Sequence, residues 1–137
     1  MTRALDEACA RAMGWTHRTD LWPHFLPLYC WVRPGKEICE ELPEFSTDPA
    51  TDAEKFAWLK GDLRIDRDVG AVAFAERERG GDQSWRLWSA AAYVKPVDEG
   101  DDGVRVGHGG TLTLALCNLV IAVAQAEAER KARRGRR

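Results

Sequence analysis

The sequence predicts an α+β fold: an α-β-α sandwich in which a small antiparallel sheet carries helices on both faces. Three observations predict it. Residues 2–13, 48–61 and 111 onward have helical apolar spacing with recognisable ends. Between them lie short runs rich in Val, Ala and aromatic residues, joined by turns containing Gly or Pro, as in antiparallel hairpins. The resulting order is helix, hairpin, helix, hairpin, helix, and each helix has an apolar stripe that a sheet would cover.

The chain of 137 residues suits one domain, placed at residues 1–129 with a basic tail at 130–137. It is 45% hydrophobic and 31% charged, a globular balance. A net charge of −2 creates no global field toward nucleic acid or acidic substrates. The N-terminus shows no apolar core after its basic residue, so no secretory signal is expected. The longest apolar stretch, Leu112 to Ala124, has 13 residues and includes Thr113 and Asn118. A membrane span needs about 20, so a buried helix is expected there. The four cysteines, Cys9, Cys30, Cys39 and Cys117, are expected as thiols in a reducing cytoplasm. A hairpin would allow Cys30 to face Cys39.

In chain order, Leu5, Cys9 and Met13 mark one face of the first helix, which stops at Gly14. Trp15 then folds back onto it. Pro23 and Pro27 make residues 17–27 irregular. Tyr29 to Val32 and Glu37 to Glu40 form a hairpin across Pro34-Gly35, suited to a type II turn. Asp48 caps the second helix with Pro49 in its first turn, Thr47 being the alternative cap. Its inward face is expected at Ala53, Phe56, Ala57 and the stem of Lys60, flanked by Trp58 and Leu59. Ala71 to Glu76 and Trp85 to Val94 are strands around the turn Gly80-Gly81-Asp82. Ala90-Ala91-Ala92 permits a helix to approach the sheet closely. Val104 to Val106 is a short edge strand ended by Gly107 to Gly110. Thr111 caps the last helix, which is either the most buried element or the seam of a homodimer.

Three groups of residues carry a family resemblance: Leu5-Asp6-Glu7-Ala8 through Met13-Gly14-Trp15; Leu42-Pro43 with Phe45-Ser46-Thr47-Asp48; and Thr111-Leu112 through Leu116-Cys117-Asn118. In this order they resemble the phage ABA sandwich domain family of bacteriophage and prophage proteins. Phe45 stands where Tyr is usual, Leu112-Thr113-Leu114 where Ala-Pro-Leu is common, and the basic tail lies outside the pattern. The resemblance implies an α-β-α sandwich without an established catalytic motif. Physically, these motifs are helix ends: Gly14 terminates a helix, and Ser46, Thr47 and Asp48 serve amides at a helix start.

Candidate chemistry is sparse. His17, His24, Cys30 and Cys39 are ligand types for zinc, but gaps of seven, six and nine positions differ from the close pairs of structural zinc sites. Asp62, Asp66 and Asp68 lack the ligand alternation and terminal Glu of a calcium loop. No metal, cofactor or catalytic set is therefore expected. Gly107, His108, Gly109, Gly110 and Thr111 form a glycine-rich segment at a helix start, where an anion such as a nucleotide phosphate would sit in an alternative reading. It lacks the Lys and spacing of a phosphate loop. Arg130, Lys131, Arg133, Arg134, Arg136 and Arg137 would carry nucleic acid in another alternative.

The favoured expectation is a phage or prophage accessory protein that acts by binding. Its partner would be a host protein or complex in the cytoplasm, such as an antiviral defence component of the CRISPR-Cas kind. Trp22, Tyr29, Trp31 and Trp88 are the aromatic interface candidates, since such residues are enriched at binding hot spots. Asp98, Glu99, Asp101 and Asp102 are the acidic ones.

Overall fold

The computed structural model describes residues 2–18, 30–60, 72–79, 85–93 and 97–134. Helix α1, Thr2–Ala12, buries Cys9 and Ala10, and Met13 just beyond it is buried as well. It ends by swinging Gly14 to φ 95°, a conformation that suits glycine. The Trp15 amide then donates to Ala10 O at 3.0 Å and the Gly14 amide to Arg11 O at 3.0 Å, the paired bonds of a Schellman end. Met13-Gly14-Trp15 is thus a helix stop that drops the Trp15 indole, 3% exposed, into the core.

The chain runs on into β1, Thr16–His17, which pairs antiparallel with β2, Trp31–Val32. β2 pairs in turn with β3, Cys39–Glu40. The expected Pro34-Gly35 turn joins them: Gly35 has φ 77° and the Lys36 amide donates to Arg33 O at 3.1 Å. Cys39 stands opposite Val32 rather than Cys30, and none of the four cysteines is in a disulfide.

Phe45 is fully buried, edge-on to Trp15 with ring centroids 5.7 Å apart. Asp48 caps as expected: its Oδ1 accepts from the Ala50 amide at 3.0 Å, ahead of a 3-10 turn, Pro49–Thr51. Ser46 contributes differently. Its amide donates to Asp6 Oδ1 at 2.7 Å, tying this segment to α1. Helix α2, Asp52–Lys60, presents Lys55 and Leu59 inward, while Ala53 and Ala57 are exposed. Of the expected inward face, Phe56 packs half-buried against the core, whereas Ala53 and Ala57 give way to Lys55 and Leu59. The reason is the Lys55 ammonium, which is fully buried and donates to Phe45 O, to Thr113 O at 3.1 Å and to Asp52 Oδ1 at 3.3 Å. Asp52 also accepts from the Thr113 hydroxyl at 3.2 Å.

The second sheet has the order β4-β5-β6: Val72–Arg79, Trp85–Tyr93 and Val104–Gly109, all antiparallel. Helix α3, Leu112–Arg134, lies on β5 and β6. Its opposite side meets the other helices: Cys117 reaches α1 at Leu5 O, and Thr113 meets α2. The molecule is therefore a mixed α+β fold of helices and small antiparallel sheets, with its strands divided between two sheets. The core is centred on α3, where Leu116, Cys117, Leu119, Val120 and Val123 are fully buried.

Two expectations change here. β6 does not stop at Val106. It continues through Gly109, because its glycines alternate onto the face against α3. A Cβ on Gly107 would collide with Ala115 O and Leu119 N, and one on Gly109 would come within 2.7 Å of Leu114 Cβ. Ala90 and Ala92 of β5, 0% and 1% exposed, continue this seam of small residues. Likewise, the basic residues from 130 to 134 are not a tail after residue 129 but the last turns of α3.

Three outcomes are expected in urea unfolding. Gly107→Val should destabilise by roughly 2–3 kcal/mol through overpacking against helix backbone. Gly110→Ala, with open space around its Cβ, should be close to neutral. Lys55→Met keeps the volume but strands Asp52 and two carbonyls, and should cost about 3 kcal/mol or more.

Candidate functional site

The polar feature best defined by the fold is the loop between β5 and β6. Asp101 organises it. Its Oδ2 accepts from the Val97 amide at 2.8 Å and its Oδ1 from the Gly103 amide at 3.0 Å. The Arg105 guanidinium, from β6, closes on both carboxylate oxygens at 2.8 and 2.7 Å. A short polar side chain followed by a permissive glycine produces this geometry locally: Gly103 takes φ 78°. The Arg105 hydrogen bonds and the two amides hold the Asp101 carboxyl well below the usual carboxylate range. Asp101 reciprocally raises the Arg105 guanidinium.

Around this anchor, Asp98, Glu99 and Asp102 are exposed. Asp98 accepts from the Gly100 amide at 3.0 Å and Asp102 from the Val104 amide at 2.9 Å, so both carboxylates are held in local turns. Asp98 also meets Arg133 of α3 at 3.0 Å. The basic end of α3 and the acidic loop are therefore neighbours, and their charges partly cancel. Chemically, this loop can present carboxylates in a fixed arrangement to a cationic surface.

The aromatic candidates are arranged differently. Trp31 is 0% exposed, with the His17 ring stacked on it at 4.6 Å and the Arg11 guanidinium 5.2 Å from its centroid. Trp31 is therefore a core residue rather than part of an exposed aromatic surface, where it was expected. Trp88 is half-buried and packs against the core cluster. Trp22 and Tyr29 lie outside the described residues, as do Asp62, Asp66, Asp68, Arg136 and Arg137.

The glycine-rich segment also has another role. Gly107 and Gly109 serve the approach of β6 to α3, and the Thr111 hydroxyl accepts from the Leu114 amide at 3.1 Å as an ordinary cap. His108 faces away from the helix and pairs with Ser89 across the strands, Nδ1 to Oγ at 2.9 Å. The bond between them is solvent-exposed. A serine nucleophile would also need an oriented base and an oxyanion site.

Among the described residues, no three His, Cys, Asp or Glu side chains are grouped to hold a metal ion. Helix α3 is long and apolar enough to cross a membrane by length and composition. Leu116, Cys117, Leu119, Val120 and Val123 of this helix are fully buried within the chain, where it packs against the sheet, α1 and α2.

Two polar centres were missed from sequence. One is Lys55. The other is Arg33, whose guanidinium lies 4.5 Å over the Trp15 ring and bonds Glu40 at 2.8 Å and Glu54. Burial pushes the Glu54 carboxyl up, against the pull of Arg33. Comparison with protein-family models, curated proteins and solved structures finds no match.

The depressed Asp101 carboxyl has a signed consequence. Its stabilisation is present above the unfolded carboxylate value and is lost as pH falls toward the folded one. Asp101→Asn should lower the melting temperature at neutral pH, and the gap to the wild type should narrow between about pH 4 and pH 2. A gap constant across that range would reject an ionic role.

Proposed function

We propose that the protein works by non-catalytic binding to another protein, with the acidic loop at Asp98, Glu99 and Asp102 as its contact surface. The observation that carries this reading is the Asp101–Arg105 clamp. A loop that is merely solvated has no need of a half-buried bidentate anchor and two amide bonds. One that must meet a partner gains from being ordered beforehand, because less freedom is lost on docking. Carboxylates so arranged suit a basic patch on the partner and would raise the rate of encounter.

The partner's setting rests on resemblance. The likeness of Met13-Gly14-Trp15, Phe45 to Asp48 and the α3 segment to phage ABA sandwich domains suggests an accessory protein of a phage or prophage. It would act in the host cytoplasm on a host protein or complex. A nucleic-acid-binding component of antiviral defence, such as a CRISPR-Cas effector, offers the basic surface that the loop would complement. The Ser46 amide bond to Asp6 and the Schellman end at Gly14 favour a scaffolding role for the shared motifs, leaving the loops to differ between members.

The alternatives have less support. An anion at Gly107 to Thr111 would compete with the Thr111 cap, and the glycines there already have a packing role. Nucleic acid on the end of α3 would meet Arg130, Lys131 and Arg133, the last of these already paired with Asp98.

Affinity capture from phage-infected host lysate, with quantitative mass spectrometry, compares the wild type with Glu99→Lys/Asp102→Asn. The asparagine keeps an acceptor for the Val104 amide. A partner held by the wild type should fall at least about tenfold with the variant, at unchanged melting temperature. Equal recovery by both proteins would sink the loop assignment, and recovery of no partner by either would sink the binding reading.

A further inference from the structure

Helix α3 outruns the core it builds. Ala126 is its last buried residue, yet the helix continues to Arg134. None of residues 127–133 is buried, and Arg130, Lys131, Arg133 and Arg134 give this overhang a basic character. Cations suit the C-terminal end of a helix, which accounts for their charge but not for what they touch. Positions 126, 130 and 133 fall at i, i+4 and i+7 and so share one face. Along it the buried Ala126 gives way to a half-buried Arg130 and then to Arg133. There Arg133 Nη1 donates to Asp98 Oδ2 at 3.0 Å, across 35 positions of sequence. Asp98 belongs to the acidic loop, whose root is Val97. The Val97 side chain packs on the core, and Asp101 holds its amide. The pair therefore joins a helix to a clamped loop, and it places a cation on the carboxylate surface that a basic partner would meet.

We propose, on the reading of the acidic loop as the partner surface, that the end of α3 is an autoinhibitory strap. Arg133 holds Asp98 as an internal substitute for the basic partner, which gains the loop by displacing it. Arg133 and Asp98 are each about half exposed, so solvent and salt screen their attraction and the strap is closed only part of the time. Affinity for the partner is lowered by the fraction of molecules whose loop is free. For an exposed ion pair this is a factor of about two to six. A strap of that strength selects among partners. An isolated lysine or arginine gains little over Arg133, whereas a surface presenting several cations at once outcompetes it. The contact thus turns a generally cation-attracting loop into one that favours densely basic proteins.

Fluorescence anisotropy with a fluorescein-labelled octalysine peptide tests this on the full chain at low salt. The proteins are the wild type, Arg133→Gln, Lys131→Gln and Glu99→Lys/Asp102→Asn, each checked for an unchanged melting temperature. Lys131→Gln removes the same charge about 200° round the helix from Arg133, and so controls for net charge. Arg133→Gln should bind the peptide about two- to sixfold more tightly than the wild type, with Lys131→Gln close to the wild type. The gain should shrink as salt is raised, and Glu99→Lys/Asp102→Asn should lose binding. Equal affinity of the wild type and Arg133→Gln, with binding still lost in the loop variant, would overturn the strap and leave the loop reading standing. So would weaker binding by Arg133→Gln, or an equal gain from Lys131→Gln. Binding that is absent, or untouched by the loop substitutions, would overturn the loop reading and the strap with it.

Discussion

An ammonium group sealed inside a small core constrains everything around it. The three Lys55 donors match three oxygens, Phe45 O, Thr113 O and an Asp52 carboxylate oxygen, and the second Asp52 oxygen takes the Thr113 hydroxyl. Removing such a charge from water costs several kcal/mol, offset only while every donor is satisfied. The distances among the Phe45 segment, α2 and the start of α3 are therefore tightly set. The constraint reaches α1 as well. Phe45 lies edge-on to Trp15, just beyond the end of α1, and the adjacent Ser46 amide is held by Asp6 within it.

The sheet side of α3 follows a different rule. There the contact is backbone to backbone, through Gly107, Gly109, Ala90 and Ala92. One side of the helix is fixed by a polar cluster, the other by the absence of side chains. The alanine run announced this seam in the sequence, because three small residues in a strand have little other use. The glycines did not. Gly is a poor strand former, and its value at close approach is visible only once the opposing backbone is known.

The same contrast runs through the rest of the reading. The Asp48-Pro49 helix start, the Pro34-Gly35 turn and the stop at Gly14 were legible because each is decided by its own backbone chemistry. The inward face of α2 was not, since apolar periodicity places a lysine in solvent and an alanine in the core, the reverse of Lys55, Ala53 and Ala57. Strand β1 is two residues long, too short for any period to register. Trp31 was misplaced because composition counts aromatic residues without locating them. For the candidate site, the acidic run was plain, but its division of labour was not. Only the geometry separates Asp101, which builds the loop, from Glu99 and Asp102, which face outward, or shows that Asp98 and Arg133 belong to one surface.

The spacing of contacts along the chain also has a kinetic meaning. β5, β6 and α3 are consecutive, so their packing closes only short loops. The Lys55 bond to Thr113 joins residues 58 positions apart, and the Cys117 bond to Leu5 spans 112. Non-local contacts form late, because the chain must surrender loop entropy before they reward it. The sheet with α3 is then the platform on which α2 docks, and α1 docks onto what α2 and α3 have built. By contact separation α1, whose contact with α3 spans most of the chain, is the element expected to dock last.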